Sequence, residues 1–145
     1  LIIGVDNILP KTPPLEMVTS KAVAKSDLSI IPVATTGGND IWATKEFLEH
    51  LEILRGRLDA PIPAYFVVNR FEANVRLHQA YLEILGEYES NYTIKLLKTY
   101  LAKRTAYGEA NTQGLGVLEW DNKKAKQEIK LLAAEIETLL PNFIK

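Results

Sequence analysis

Apolar residues fall along this chain in two kinds of pattern. Short unbroken runs occur at Leu1–Val5 (LIIGV), Leu28–Val33 (LSIIPV) and Ala64–Val68, and a shorter one within Tyr92–Leu97 (YTIKLL). Such runs read as strands buried on both faces. Between them the apolar positions shift to a helical period. Leu15, Val18, Ala22 and Val23 share one face of a helix that follows Pro13 and ends near Ser26. A helix over Ile41–Arg55 turns Ile41, Ala43 or Thr44, Phe47, Leu48, Leu51 and Leu54 inward, with Asn39 as its N-cap. A third, Ala73–Glu87, buries Leu77, Tyr81, Leu82 and Leu85. Lys98–Trp120 is irregular, with one helical turn around Thr105–Asn111. The last helix, Asn122–Leu140, lines up Ala125, Ile129, Leu132, Ala133, Ile136 and Leu139 before Pro141 closes it.

Strands that alternate with helices predict an α/β fold: a doubly wound, mostly parallel sheet with helices on both faces, residues 1–145 forming a single domain. Ligands of such sheets sit beyond the carboxyl ends of the strands. That edge collects Asp6, Thr35 to Asp40, Asn69 with Arg70, and Lys98 to Arg104.

Composition narrows the function classes. Of 145 residues, 47% are apolar and 24% charged, which is globular rather than disordered. A net charge of −1 gives no global attraction to nucleic acid or membrane, so any such contact needs a local patch. The chain has no cysteine and only two histidines, His50 and His78, which excludes a disulfide framework and a thiolate metal site. No apolar run approaches the ~20 residues that span a bilayer, and a cytoplasmic address is expected.

The motifs divide sharply. TTGGND (Thr35–Asp40) has the outline of a phosphate loop, but no Gly-Lys pair exists in the chain, and Asp40 would repel a phosphate at that helix start. It reads as a turn and cap. Asp6 ends an apolar strand, as a Walker B aspartate does and as many turn residues do, and is the catalytic candidate. Asn69 can both donate to and accept from a purine, or can close an Asx turn. Lys98, Lys103 and Arg104 stand near Tyr100 and Tyr107, a mixture suited to a nucleic-acid backbone or to a solvated loop. His50 and His78 read as surface or packing residues, Trp42 and Trp120 as core.

Three stretches together resemble the ParA/MinD-type partition ATPases, most closely the small plasmid-partition members: SKAVAKSDLSIIPVATTGGNDIWATKEFLEHLEIL, FVVNR, and KRTAYGEANTQGLGVLEWDNKKAKQEIKLLAAEIETLL. The resemblance spans about Thr12 to Leu140. It implies a P-loop NTPase-like sheet whose N-terminal P-loop unit is absent from this chain. It further implies ATP and Mg²⁺ as cofactors, a homodimer, non-specific DNA binding on the nucleoid, and a ParB-like centromere-binding partner that stimulates hydrolysis. By position, Asn69 would face the adenine, with Arg70 beside it. Asp40 and its loop would lie next to nucleotide and dimer interface, and Lys98, Lys103 and Arg104 would belong to the DNA-facing surface. At the switch loop the family has an acid before Thr-Pro-Pro, where this chain has Lys11; Asp6 is the candidate replacement. The family's P-loop strand lies between those matching Leu1–Val5 and Leu28–Val33. Here residues upstream supply it, the two strands pair directly, or another chain fills the gap. The alternative function is a non-enzymatic, degenerate interaction module that binds no nucleotide. A MinD-like membrane anchor is disfavoured because LLPNFIK is too short for one.

Overall fold

A computed structural model describes residues 2–3, 26–35, 37–57 and 63–140. Four parallel strands form one sheet in sequence order: β1 (Ile2–Ile3), β2 (Leu28–Ala34), β3 (Ala64–Asn69) and β4 (Lys95–Leu96). The register runs Ile2 to Leu28, Ser29 to Ala64 and Tyr65 to Lys95. β1 therefore pairs with β2 directly, the second of the three arrangements open from sequence. The helices are α1 (Gly38–Arg55), α2 (Arg76–Asn91), α3 (Thr105–Thr112) and α4 (Lys123–Leu139). The α/β class and the parallel sheet match the sequence expectation.

Side chains alternate across a strand, and both faces of this sheet are covered. Ile31 and Val33 of β2 with Ala64, Phe66 and Val68 of β3 point to one side, where α1 supplies Phe47, Leu48 and Leu51 and α2 supplies Tyr81 and Leu85. Leu28, Ile30 and Val67 point to the other, where Leu132, Ile136 and Leu139 of α4 pack over them. Phe47, Phe66, Leu48, Leu51 and Leu85 are all essentially inaccessible. Each such side chain contributes roughly 1.5–3 kcal/mol of burial.

Several expectations need correction. Trp42, expected in the core, is 70% exposed and lies with Lys45 Nζ 5.9 Å from its ring. It is one residue past Ile41, so the helical period that buries Ile41 turns Trp42 outward; Thr44, not Ala43, completes the buried stripe. Trp120 is only half-buried. The N-cap of α1 is Gly37 rather than Asn39, because the helix starts earlier than its apolar pattern. In α2, Leu77 is exposed and His78 is buried instead. Residues Ala73 and Asn74 form a turn, so the helix begins three residues later than expected and continues to Asn91. Ala133 faces solvent on α4. The helix expected after Pro13, Asp6 and Lys11 lie outside the described residues.

Candidate functional site

The carboxyl edge of the sheet is built by a single extension of the chain. Beyond β4, residues 97–103 continue alongside β3 and past its end. Leu97 and Leu101 donate backbone bonds to the carbonyls of Phe66 and Val68, each at 2.8 Å. Phe71 then pairs with Ala102, Phe71 N donating to Leu101 O at 3.0 Å and Lys103 N to Phe71 O at 3.1 Å. This brings Lys103 and Arg104 beside Asn69 and Arg70, some thirty residues earlier in the chain. A cavity of about 550 Å³ opens there, lined by Asn69, Arg70, Lys103, Arg104, Tyr107 and Ile129 among others.

Each polar group at this edge has a distinct situation. Asn69 ends β3, and its Oδ1 accepts from Arg70 N at 2.9 Å. That local bond is the turn reading of Asn69, and it leaves the amide donors uncommitted. Arg70 sits at φ 55°, the one non-glycine residue with positive φ among the described residues. A left-handed arginine costs roughly 1–2 kcal/mol, and such conformations cluster at functional sites. The guanidinium itself is exposed.

Arg104 is held. Its Nε and one Nη donate to the same oxygen of Glu128 on α4, at 3.0 and 2.5 Å. Tyr107 donates its hydroxyl to the other Glu128 oxygen at 2.6 Å. Burial works against ionising Glu128, but the bonds from Arg104 and Tyr107 outweigh it and hold the carboxyl below its ordinary value. Burial, then the bond to Glu128, pushes the Tyr107 phenol well up. Lys103 is half exposed and stands 3.6 Å from Glu72 Oε2.

A second cluster lies behind the first. His78, 3% exposed, takes the Glu72 N–H on Nδ1 at 2.8 Å, and Thr35 Oγ1 stands 3.2 Å from the same nitrogen. Nδ1 therefore acts as the acceptor, and Nε2, 3.7 Å from Glu72 Oε2, carries the proton of the neutral ring. Phe71 closes over the imidazole with ring centroids 5.9 Å apart. The cluster ties the end of β2 to the turn after β3.

Of the residues singled out from sequence, Asn69, Arg70, Lys103 and Arg104 line one cavity. Lys98 does not line it; it is exposed near the start of the extension, where its backbone N donates to Glu135 at 2.7 Å. Asp40 falls within α1, but its side chain is outside the described residues, as is Asp6. Glu128 and Glu72 were not foreseen, and His78, read as a surface or packing residue, is buried and packs against Phe71. Glu128 follows Gln127 on a helix with many charges, and nothing local marks it as the partner of Arg104.

Chemically, this edge offers the Asn69 amide donors and the exposed Arg70 guanidinium, while Lys103 stands beside Glu72 and both Arg104 and Tyr107 are engaged by Glu128. A triphosphate with Mg²⁺ needs a run of backbone N–H groups, a lysine and a hydroxyl in fixed order, and no such motif is present in the 145 residues. Among the described residues no group of three or more acidic or histidine side chains is placed to hold a metal, and no helix is long and apolar enough to cross a membrane. No family model matches the chain, and no curated protein matches it.

Proposed function

We propose that the chain is the carboxyl-terminal part of a ParA-like partition ATPase, which in intact form uses ATP and Mg²⁺ to control dimerisation and non-specific DNA binding. The observation that carries this reading is the convergence of Asn69 and Arg70 with the basic segment Lys103–Arg104 on one cavity at the carboxyl edge of a parallel sheet. The ordered resemblance of three stretches supports it, as does a parallel sheet with helices packed over both faces. In this reading the Asn69 amide addresses the base, and Lys98, Lys103 and Arg104 address the DNA backbone. Hydrolysis is assigned to the intact ATPase, because the phosphate cradle is absent from this sequence.

The test is retention of a non-specific DNA duplex by the intact protein, with and without ATP. Arg104→Ala is expected to abolish ATP-dependent retention. Lys103→Ala, at an exposed site, is expected to lower the salt slope of binding by about one. Retention that keeps its salt sensitivity in both variants removes the DNA assignment. A second reading, a non-enzymatic interaction module, is favoured by one feature: Arg104 is already paired with Glu128, as a structural arginine would be. Calorimetry of this 145-residue chain with ATP and Mg²⁺ separates the two. Measurable binding contradicts the module.

A further inference from the structure

His78 is 3% exposed, and the partition reading gives it no task. Three segments enclose its ring. β2 ends on Thr35, whose Oγ1 stands 3.2 Å from Nδ1. The turn after β3 brings Phe71 over the imidazole and the Glu72 N–H onto Nδ1 at 2.8 Å. The extension beyond β4 brings Tyr100, edge-on against Phe71 at 5.3 Å, and Lys103, whose N donates to the Phe71 carbonyl. The charged groups that face the ring are Glu72 and, beyond it, Lys103. Arg70 of the turn and Arg76 of α2 are exposed, and β2 contributes the Thr35 hydroxyl.

The bonds fix what a proton would do here. A backbone N–H can only donate, so Nδ1 of the neutral ring is the acceptor and Nε2 carries the proton. A second proton can enter only at Nδ1, where it would oppose the Glu72 N–H, donor against donor, in a site nearly closed to solvent. Glu72 Oε2 is shared between His78 Nε2 at 3.7 Å and Lys103 Nζ at 3.6 Å. A charged ring competes with the lysine for that oxygen, and a neutral ring does not. Histidine is the side chain whose charge ordinarily changes between about pH 5 and pH 8. His50 gives the contrast within the same chain. It is exposed, its Nδ1 donates to the Glu46 carbonyl at 2.8 Å, and it can take a second proton on Nε2 without losing that bond.

We infer that His78 is a proton-operated latch on the turn at residues 71–75. Neutral, it holds the turn to the end of β2 through the Glu72 N–H. Protonated, it releases that N–H and draws the Glu72 carboxylate away from Lys103, which becomes a free cation beside Asn69 and Arg70. The latch belongs to the fold and holds whether or not the carboxyl edge binds nucleotide or DNA.

Ring-nitrogen, amide and lysine side-chain resonances of the full chain, followed from about pH 8 down to about pH 5, are the test, with His50 as internal reference. His78 is expected to carry its neutral proton on Nε2, and His50 on Nδ1. As the His78 ring gains its second proton, the Glu72 amide is expected to shift with the same midpoint. Corrected for intrinsic exchange, that amide is expected to lose about tenfold in protection, the worth of one hydrogen bond. The Lys103 side chain is expected to respond at the same midpoint. In Glu72→Gln the tautomer of His78 is expected to stay, because the backbone N–H is unchanged, while the Lys103 response disappears. Four results overturn the proposal: a neutral proton on Nδ1 of His78, a His78 ring that stays neutral across the range, a Glu72 amide indifferent to the ring's charge, or a Lys103 response that survives in Glu72→Gln.

Discussion

Glu128 holds two side chains with one carboxylate, Arg104 on one oxygen and Tyr107 on the other. Its carboxyl is held below the ordinary 4.5, so the folded state binds its proton less readily than the unfolded chain. The stability this provides is present above the ordinary carboxylate range and is lost as pH falls through the lowered folded value. Glu128→Gln is expected to destabilise by about 1–3 kcal/mol near pH 7, and by much less near pH 3. Urea unfolding at the two pH values checks this. The same variant frees Arg104, so under the partition reading it is expected to raise DNA affinity at low salt rather than lower it. His78 makes a different residue-scale case. Replacing it with Leu fills the buried site with an apolar side chain but orphans the Glu72 N–H and the Thr35 hydroxyl. A loss of about 1–3 kcal/mol per orphaned group is expected, with faster amide exchange at Glu72 as the local readout. A histidine on a helix face next to Leu77 gave no sign of this role, because the choice of buried face depends on where the helix begins.

At the scale of elements, α4 is more than a cover for the sheet. Its apolar side packs Leu132, Ile136 and Leu139 on Leu28, Ile30 and Val67. Its carboxylates grip the extension that forms the cavity: Glu135 takes the N–H groups of Lys98 and Thr99 at 2.7 and 2.8 Å, and Glu128 takes Arg104. Burial opposes ionisation of Glu135, but the bonds from Lys98 and Thr99 prevail and hold its carboxyl down. Glu135→Ala is expected to cost about 1–3 kcal/mol and to raise exchange at the Lys98 and Thr99 amides while leaving β2 and β3 protected. Uniform loss of protection would contradict this local role. The helix was legible in the sequence, from Asn122, whose Oδ1 accepts from Ala125 N at 2.9 Å, to Leu139. The grip was not, since a carboxylate on a solvent-facing stripe has the same sequence signature whether or not a backbone amide comes to meet it.

At the scale of the whole molecule, the sheet is buried between two helical layers and its two edges differ. The carboxyl edge brings Asn69 and Arg70 beside Lys103 and Arg104, and the amino edge buries Arg55 next to Glu52. The core that separates them is α1 against β2 and β3, with Phe47 and Phe66 both at its centre. Phe47→Ala is expected to cost about 3–5 kcal/mol and to lower the denaturant midpoint without changing the slope. A net charge of −1 gives no global attraction to DNA, so under the partition reading retention needs a local basic patch and is expected to fall steeply with salt.

The periodicity of apolar residues by itself determined the element types, the parallel α/β class and most of the buried stripe on α1. These follow from local geometry: a period of two or an unbroken run for strands, 3.6 for helices. The sequence also placed Asn69, Arg70 and the basic segment at one edge, because parallel strands carry their carboxyl ends together. Only the tertiary structure decided that β1 pairs directly with β2, that Trp42 faces solvent, and that Arg104 is paired with Glu128 while Arg55 Nε has no acceptor. Each of these depends on what a side chain or strand edge meets across the fold, and residues far apart in the chain supply the partner.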